Sequence, residues 1–184
     1  MPSTKPIPAS LEPLVGYFQQ LESRATVSEL QRRLDGLDIQ MQELEHLAIF
    51  DDAVYRRNLV FECDWAEVLL ICWKSGQRSP IHNHAGSTCG FKVLEGTGVE
   101  TVFDVSPCGQ VVANSSNEMP PGYVCASQDA DIHQVSNLQA DDQSLITLHI
   151  YSPPLRRMDM YSITGGSVEK YTPTNFEHTG GSGI

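Results

Sequence analysis

From about Asp51 onward the chain breaks into short apolar runs separated by Gly, Pro, Asn and Asp, and this punctuation restricts its fold more than any other feature. The runs are Val68–Trp73 (VLLICW), Phe91–Gly96 (FKVLEG), Gly98–Val105 (GVETVFDV), Tyr123–Ala126 (YVCA), Ile132–Val135 (IHQV) and Ser144–Tyr151 (SLITLHIY). Each is bounded by turn residues and reads as a strand. Within one of them Val99, Thr101 and Phe103 alternate with Glu100, Val102 and Asp104, the period of a half-buried strand. Many short strands at regular spacing predict a mainly β protein, a double-sheet barrel of the jelly-roll kind.

The first fifty residues have a different texture. Leu14, Tyr17, Phe18 and Leu21 recur at helical spacing, as do Leu30, Leu34, Leu37 and Met41, so residues 11–49 read as helical. Thr26 and Ser28 are both candidate N-caps before the second run, with Glu29 near its first turn. Residues 1–10 carry three prolines and read as loose. The 184 residues form one expected domain: a helical cap over 1–50, the barrel over 51–165, and a tail over 166–184 that wraps the surface. A chain of this length buries a sizeable core without metal or disulfide.

Charge narrows the partners. Lys plus Arg is 12 and Asp plus Glu is 23, a formal net charge of −11. Such a chain is not expected to bind nucleic acid or an anionic membrane surface, since both need clustered cations. No run of apolar residues is long enough to span a bilayer. The N-terminus, MPSTKPIPAS, has no apolar export segment, so a cytoplasmic location is expected. The five cysteines are odd in number and contain no CxxC pair, so reduced thiols are expected rather than a disulfide framework.

The strongest chemical signal is His82-Asn83-His84. On a strand, residues two apart face the same side, so both imidazoles would enter one space, as a metal requires. Imidazole suits iron, zinc, copper and nickel alike, so these ligands do not name the ion. A bare His-x-His also occurs as two ordinary surface or core histidines; its surroundings decide. Gly76-x5-His82-x-His84-x4-Cys89-x6-Gly96 resembles the first cupin motif, G-x5-H-x-H-x3-4-E-x6-G, with one substitution. His133-x3-Asn137 resembles the end of the second, with Pro121-Gly122 ahead of it at a longer spacing. The substituted position is the usual glutamate, here Cys89. Three neutral histidines would leave a divalent ion its full charge, ready to accept an anionic ligand such as a thiolate.

A denser resemblance spans roughly Asp52 to Pro154. Tyr55-Arg56-Arg57-Asn58-Leu59-Val60, Cys72-Trp73, Ile81-His82-Asn83-His84, Ser87, Cys89, Lys92-Val93-Leu94, Gly96, His133, Asn137 and Leu148-His149-Ile150-Tyr151-Ser152-Pro153-Pro154 together resemble the cysteine dioxygenases. These are non-haem iron cupins that convert L-cysteine and O2 to cysteine sulfinic acid. The resemblance implies one Fe(2+) per chain on His82, His84 and His133. It implies that Arg57 binds the substrate carboxylate with Tyr55 beside it, and that Tyr151 sets its hydroxyl over the iron and substrate. Thr147, His149 and Tyr151 would form a hydrogen-bonded relay, Thr147 standing where the family has Ser. Cys89 and Tyr151 would be able to join by a thioether, and Ser152-Pro153 aligns with a cis peptide bond. A monomer is expected.

Three other readings compete. Relatives that oxidise 3-mercaptopropionate or other small thiols generally lack the arginine at the Arg57 position, so Arg57 favours cysteine. A cupin binding module would hold metal without turnover. A zinc or manganese cupin isomerase would normally retain the glutamate that Cys89 replaces. Outside this context His149 would be an ordinary buried histidine, and Trp73 reads as core or pocket wall. His46 and His178 read as solvated.

Overall fold

The computed structural model describes residues 6–128, 132–164 and 168–176. Two antiparallel sheets face each other. One has five strands in the order β1 (Arg56–Cys63), β2 (Ala66–Trp73), β9 (Leu145–Ser152), β4 (Thr88–Glu95) and β7 (Val124–Gln128). The other has six, in the order β11 (Val168–Tyr171), β10 (Met158–Tyr161), β3 (Ile81–His82), β8 (Ile132–Ser136), β5 (Gly98–Val105) and β6 (Val111–Met119). This is the mainly β cupin barrel that the motifs imply.

The central strands β2 and β9 are buried at every position. Their alternating residues serve two cores, which is why both runs are apolar throughout. Val68, Leu70, Cys72, Ile146, Leu148 and Ile150 face outward, under the N-terminal helices. Leu69, Ile71, Trp73, Leu145 and Tyr151 face into the barrel. Period two on β9 therefore sends Thr147, His149 and Tyr151 inward together.

The cap is three short helices rather than one continuous helical region: α1 (Glu12–Phe18), α2 (Val27–Asp35) and α3 (Met41–Leu44), with 3-10 turns at Ala9–Leu11 and Glu45–Leu47. Of the two candidate caps, Thr26 starts α2, its hydroxyl accepting from the Glu29 amide at 3.2 Å. The periodic run through Leu37 and Met41 does not continue the helix, because α2 ends at Gly36. There Lys92 of β4 donates to the Leu34 and Leu37 carbonyls at 3.0 and 2.6 Å, satisfying groups that a helix end leaves open. A Cβ on Gly90 would stand 2.8 Å from Leu34 Cδ1, so glycine there lets α2 lie on the sheet. His46, on the second 3-10 turn, is exposed.

Gly96 is the last residue of the first motif. Its φ is +74°, and a Cβ would come within 2.2 Å of the Ser144 carbonyl oxygen. Both the turn from β4 to β5 and the close approach of the next chain segment require glycine.

Four expectations change. Arg56–Cys63, not among the runs read as strands, is a strand. The polar segment Val111–Met119 is a strand at the edge of the second sheet. Residues 168–171 of the expected tail form β11, and Phe176 bridges back to β1. On β5 the inward residue is Glu100, while Val99 and Thr101 lie only half-buried and Phe103 packs with Ile81 and Val111 in a cluster apart from the barrel interior. Residues 1–5, His178 and the rest of 177–184 lie outside the described residues. None of the five cysteines forms a disulfide, and the Ser152–Pro153 peptide is cis. No helix among the described residues is long and apolar enough to cross a membrane.

Candidate metal centre

His82, His84 and His133 come together in the barrel with their potential ligand atoms all within 4.8 Å of one another. His82 ends β3 and pairs directly with His133 on β8. The two-residue spacing does not act through a strand as expected, because β3 stops at His82. His84 is placed instead by a turn in which Ala85 and Gly86 both have positive φ, 46° and 95°. The Ser87 amide closes it on the His84 carbonyl at 3.0 Å, and the Asn83 side chain accepts from the Ala85 amide at 3.3 Å.

Each histidine presents a nitrogen to the common space. His82 Nδ1 donates to the Pro80 carbonyl at 2.9 Å, which leaves Nε2 as the acceptor. His133 Nδ1 is 2.7 Å from Glu100 Oε1, which fixes its tautomer in the same way. Both ring nitrogens of His84 are buried with no hydrogen-bond partner among the described residues. An orphaned imidazole in such a place is costly, and a metal ion would satisfy it. Burial, then the proximity of His133, holds His82 down to about 3. Burial, then His133 and His82, holds His84 well below its ordinary value. The neutral form that a metal needs is therefore the resting one. These residues fit a divalent ion.

Glu100 was not foreseen. Val102 pairs with His133 across β5 and β8, and Glu100, two residues away, shares its face. A carboxylate behind a ligating histidine raises its basicity and fixes its ring. Glu100→Gln should therefore weaken metal binding by about 10- to 100-fold, read as the dissociation constant in competition with a chelator. An unchanged constant would deny Glu100 this part.

Behind the cluster a hydrogen-bonded chain crosses the barrel. Trp73 Nε1 donates to Thr147 Oγ1 at 3.0 Å, His149 Nε2 lies 3.0 Å from the same oxygen, and Tyr151 Oη is 3.3 Å from His149 Nδ1. Trp73, read as core or pocket wall, thus anchors the far end. Its ring stacks on Tyr55 at 4.4 Å. The Tyr151 ring lies 5.8 Å from that of His84. Cys89 stands directly across from Tyr151 in the pairing of β4 with β9. Burial pushes the Tyr151 hydroxyl and the Cys89 thiol far up, so both are neutral.

Arg57 enters from β1, 5% exposed. Its guanidinium carbon is 5.4 Å from the Tyr151 ring centre. Nε donates to Asn175 Oδ1 at 2.9 Å, and Nη2 lies 3.6 Å from Glu67 Oε1, beyond hydrogen-bond length. Nη2 has no hydrogen-bond partner among the described residues. Glu67 itself, 1% exposed, accepts from the Leu155 amide at 3.0 Å and from Asn175 Nδ2 at 2.7 Å. The site residues named from the sequence are thus linked to one another by ring contacts, hydrogen bonds and strand pairing. Glu100, Glu67 and Asn175 are the additions.

A double-sheet barrel that turns three histidines onto one point defines a metal-binding cupin. Within that class the chain belongs to the cysteine dioxygenase type I family, whose sequence model matches residues 3–164. It is 30% identical over 161 residues to cysteine dioxygenase type 1 of Danio rerio, covering 81% of this chain and 77% of that protein. It is 28% identical over 173 residues to cysteine dioxygenase type 1 of Homo sapiens, covering 91% and 86%. Among solved structures, the TT1209 protein of Thermus thermophilus shares the fold with a TM-score of 0.50 at 23% identity, over 60% of this chain and 93% of that one. BH2720 of Bacillus halodurans shares it with a TM-score of 0.50 at 18% identity, over 65% and 82%. The protein is an oxidoreductase, a thiol dioxygenase with a metal site of three histidines.

Proposed function

We propose that this enzyme oxidises L-cysteine with O2 to cysteine sulfinic acid at a single Fe(II) held by His82, His84 and His133. The observation that carries the reading is the orphaned Nη2 of Arg57: a buried cationic nitrogen with no hydrogen-bond partner among the described residues, on a guanidinium whose carbon lies 5.4 Å from the Tyr151 ring centre. When bound, the ion supplies open coordination positions and the electrons that let O2 react with a thiol. The chain supplies the rest. Arg57 takes the carboxylate of the amino acid and so fixes the end of the substrate away from sulfur. Tyr55, its own hydroxyl kept protonated by burial, walls the same subsite. Tyr151 offers a neutral hydroxyl to the reacting groups, and His149, Thr147 and Trp73 hold it in place. With three histidines and no carboxylate among the ligands, the site would leave a divalent ion able to accept an anionic thiolate.

The test is O2 uptake by Fe(II)-loaded protein with L-cysteine and 3-mercaptopropionate side by side, the product identified by mass. A cysteine product heavier by two oxygen atoms supports the proposal. Faster turnover of 3-mercaptopropionate would overturn the substrate, and no uptake with either would leave a metal-binding module.

The cross-strand pairing of Cys89 with Tyr151 supports a second expectation. Residues directly opposite in an antiparallel pair have Cβ atoms about 4.5–5.5 Å apart. A bond from Cys89 Sγ to a ring carbon of Tyr151 would remove one hydrogen from each, with O2 as oxidant. Intact mass after prolonged turnover should show a species lighter by about 2 Da. Only the unmodified mass would refute it.

A further inference from the structure

The chain returns to the site at its last described residues. The Phe176 amide donates to the Arg57 carbonyl at 2.8 Å, and the Leu59 amide donates to the Phe176 carbonyl at 3.0 Å. These bonds form a parallel bridge between Phe176 and Asn58, on the free edge of β1. The Phe176 ring is covered by the Arg56 guanidinium, 4.4 Å from its centre. Neighbouring residues of an extended chain face opposite sides. With Phe176 held outside under Arg56, Asn175 is turned toward the buried pair on β1 and β2.

There its amide meets both members of the pair. Oδ1 accepts from Arg57 Nε, and Nδ2 donates to Glu67 Oε2. The orientation of the amide is not ambiguous, since a guanidinium only donates and an ionised carboxylate only accepts. Glu67 is held on both oxygens, by the Leu155 amide and by Asn175, and so stops 3.6 Å short of Arg57 Nη2. A carboxylate beside a guanidinium normally closes into a two-point pair. Here it does not, and Nη2 stays open.

We propose that Asn175 is a positioning residue for the substrate carboxylate: it satisfies Arg57 Nε while restraining Glu67, and so keeps Arg57 Nη2 available to substrate. Without it, Glu67 swings onto Arg57 as an internal competitor for the carboxylate. This inference rests on the reading of Arg57 as the carboxylate anchor and adds what keeps that anchor open.

The experiment compares wild type, Asn175→Ala, Asn175→Ala with Glu67→Gln, and Arg57→Ala as full-length Fe(II)-loaded proteins. KM and kcat for L-cysteine are measured in air. The dissociation constants of L-cysteine and of cysteamine, which has no carboxylate, are measured by calorimetry under nitrogen. Asn175→Ala should raise both KM and the dissociation constant for cysteine about tenfold, with kcat within about threefold of wild type and cysteamine binding unchanged. Adding Glu67→Gln removes the competing charge and should recover most of that loss. If Asn175→Ala leaves cysteine binding unchanged while Arg57→Ala destroys it, the inference fails and the anchor stands. If Arg57→Ala also binds cysteine normally, the reading of Arg57 itself is wrong. Equal weakening of cysteine and cysteamine, with no recovery in the double variant, would mark Asn175 as merely structural and overturn the proposal.

Discussion

Arg57→Ala is expected to lower kcat/KM for L-cysteine by about a hundredfold or more, with little effect on cysteamine. A buried site built to bind a polar group can reject analogues by about ten-thousandfold when the partner is stranded. On the proposed reading of Arg57, its open Nη2 would make this such a site. Removing the guanidinium also leaves Glu67, 1% exposed, without its cation. Breaking a buried pair on one side costs about 3–5 kcal/mol of stability. The variant must therefore be read beside Arg57→Lys, which keeps a positive charge near Glu67 and loses only the planar fork. A folded Arg57→Lys that is still strongly impaired on cysteine separates recognition from stability. A change within about threefold for Arg57→Ala amounts to less than about 1 kcal/mol and would remove Arg57 from the mechanism.

The second large effect concerns the metal-free protein in acid. His82, His84 and His149 are held below their ordinary range, each chiefly by burial. In the unfolded chain a histidine gains its proton near about pH 6.5. Because the folded values lie lower, stability is complete above about pH 6.5 and is lost as pH falls through that value. Each such histidine costs about 1.4 kcal/mol per pH unit in this window, so three cost about 4 kcal/mol. Against a total of about 5–15 kcal/mol this is a large share. Chelator-treated protein should lose at least about a quarter of its urea midpoint between about pH 7.5 and pH 5.5. A flat profile over that interval would show that these imidazoles titrate without unfolding the protein.

The longest apolar runs were legible in the sequence because their burial is two-sided. Val68–Trp73 and Ser144–Tyr151 read as strands because helices cover one face and the barrel interior the other. The strands that went unread, Arg56–Cys63, Val111–Met119 and Val168–Tyr171, lie at sheet edges, and Met158–Tyr161 lies next to one. An edge strand such as Val111–Met119, buried only at its two ends, carries no apolar period to detect. His82 and His84 were visible because their spacing is local, whereas His133 was reached only through the resemblance of His133-x3-Asn137 to the second motif. Glu100 was hidden by its type: a charge on an alternating strand reads as solvent-facing unless its partner, here His133 on the neighbouring strand, is known. Asn175 was hidden for a similar reason, in a polar segment with no pattern of its own and with both partners far back in the chain, on β1 and β2.

The double coverage of β2 and β9 has a further consequence for motion. Amides in strands buried on both faces exchange with solvent only when the whole domain opens, whereas a segment held by two backbone bonds at a sheet edge opens locally. Thr147, His149 and Tyr151 belong to the first kind and Asn175 to the second. Hydrogen exchange should accordingly protect the relay strand longest, and deuterium should enter around Phe176 while Thr147, His149 and Tyr151 are still protected. On the proposed reading, the support beside the carboxylate anchor loosens before the relay strand does.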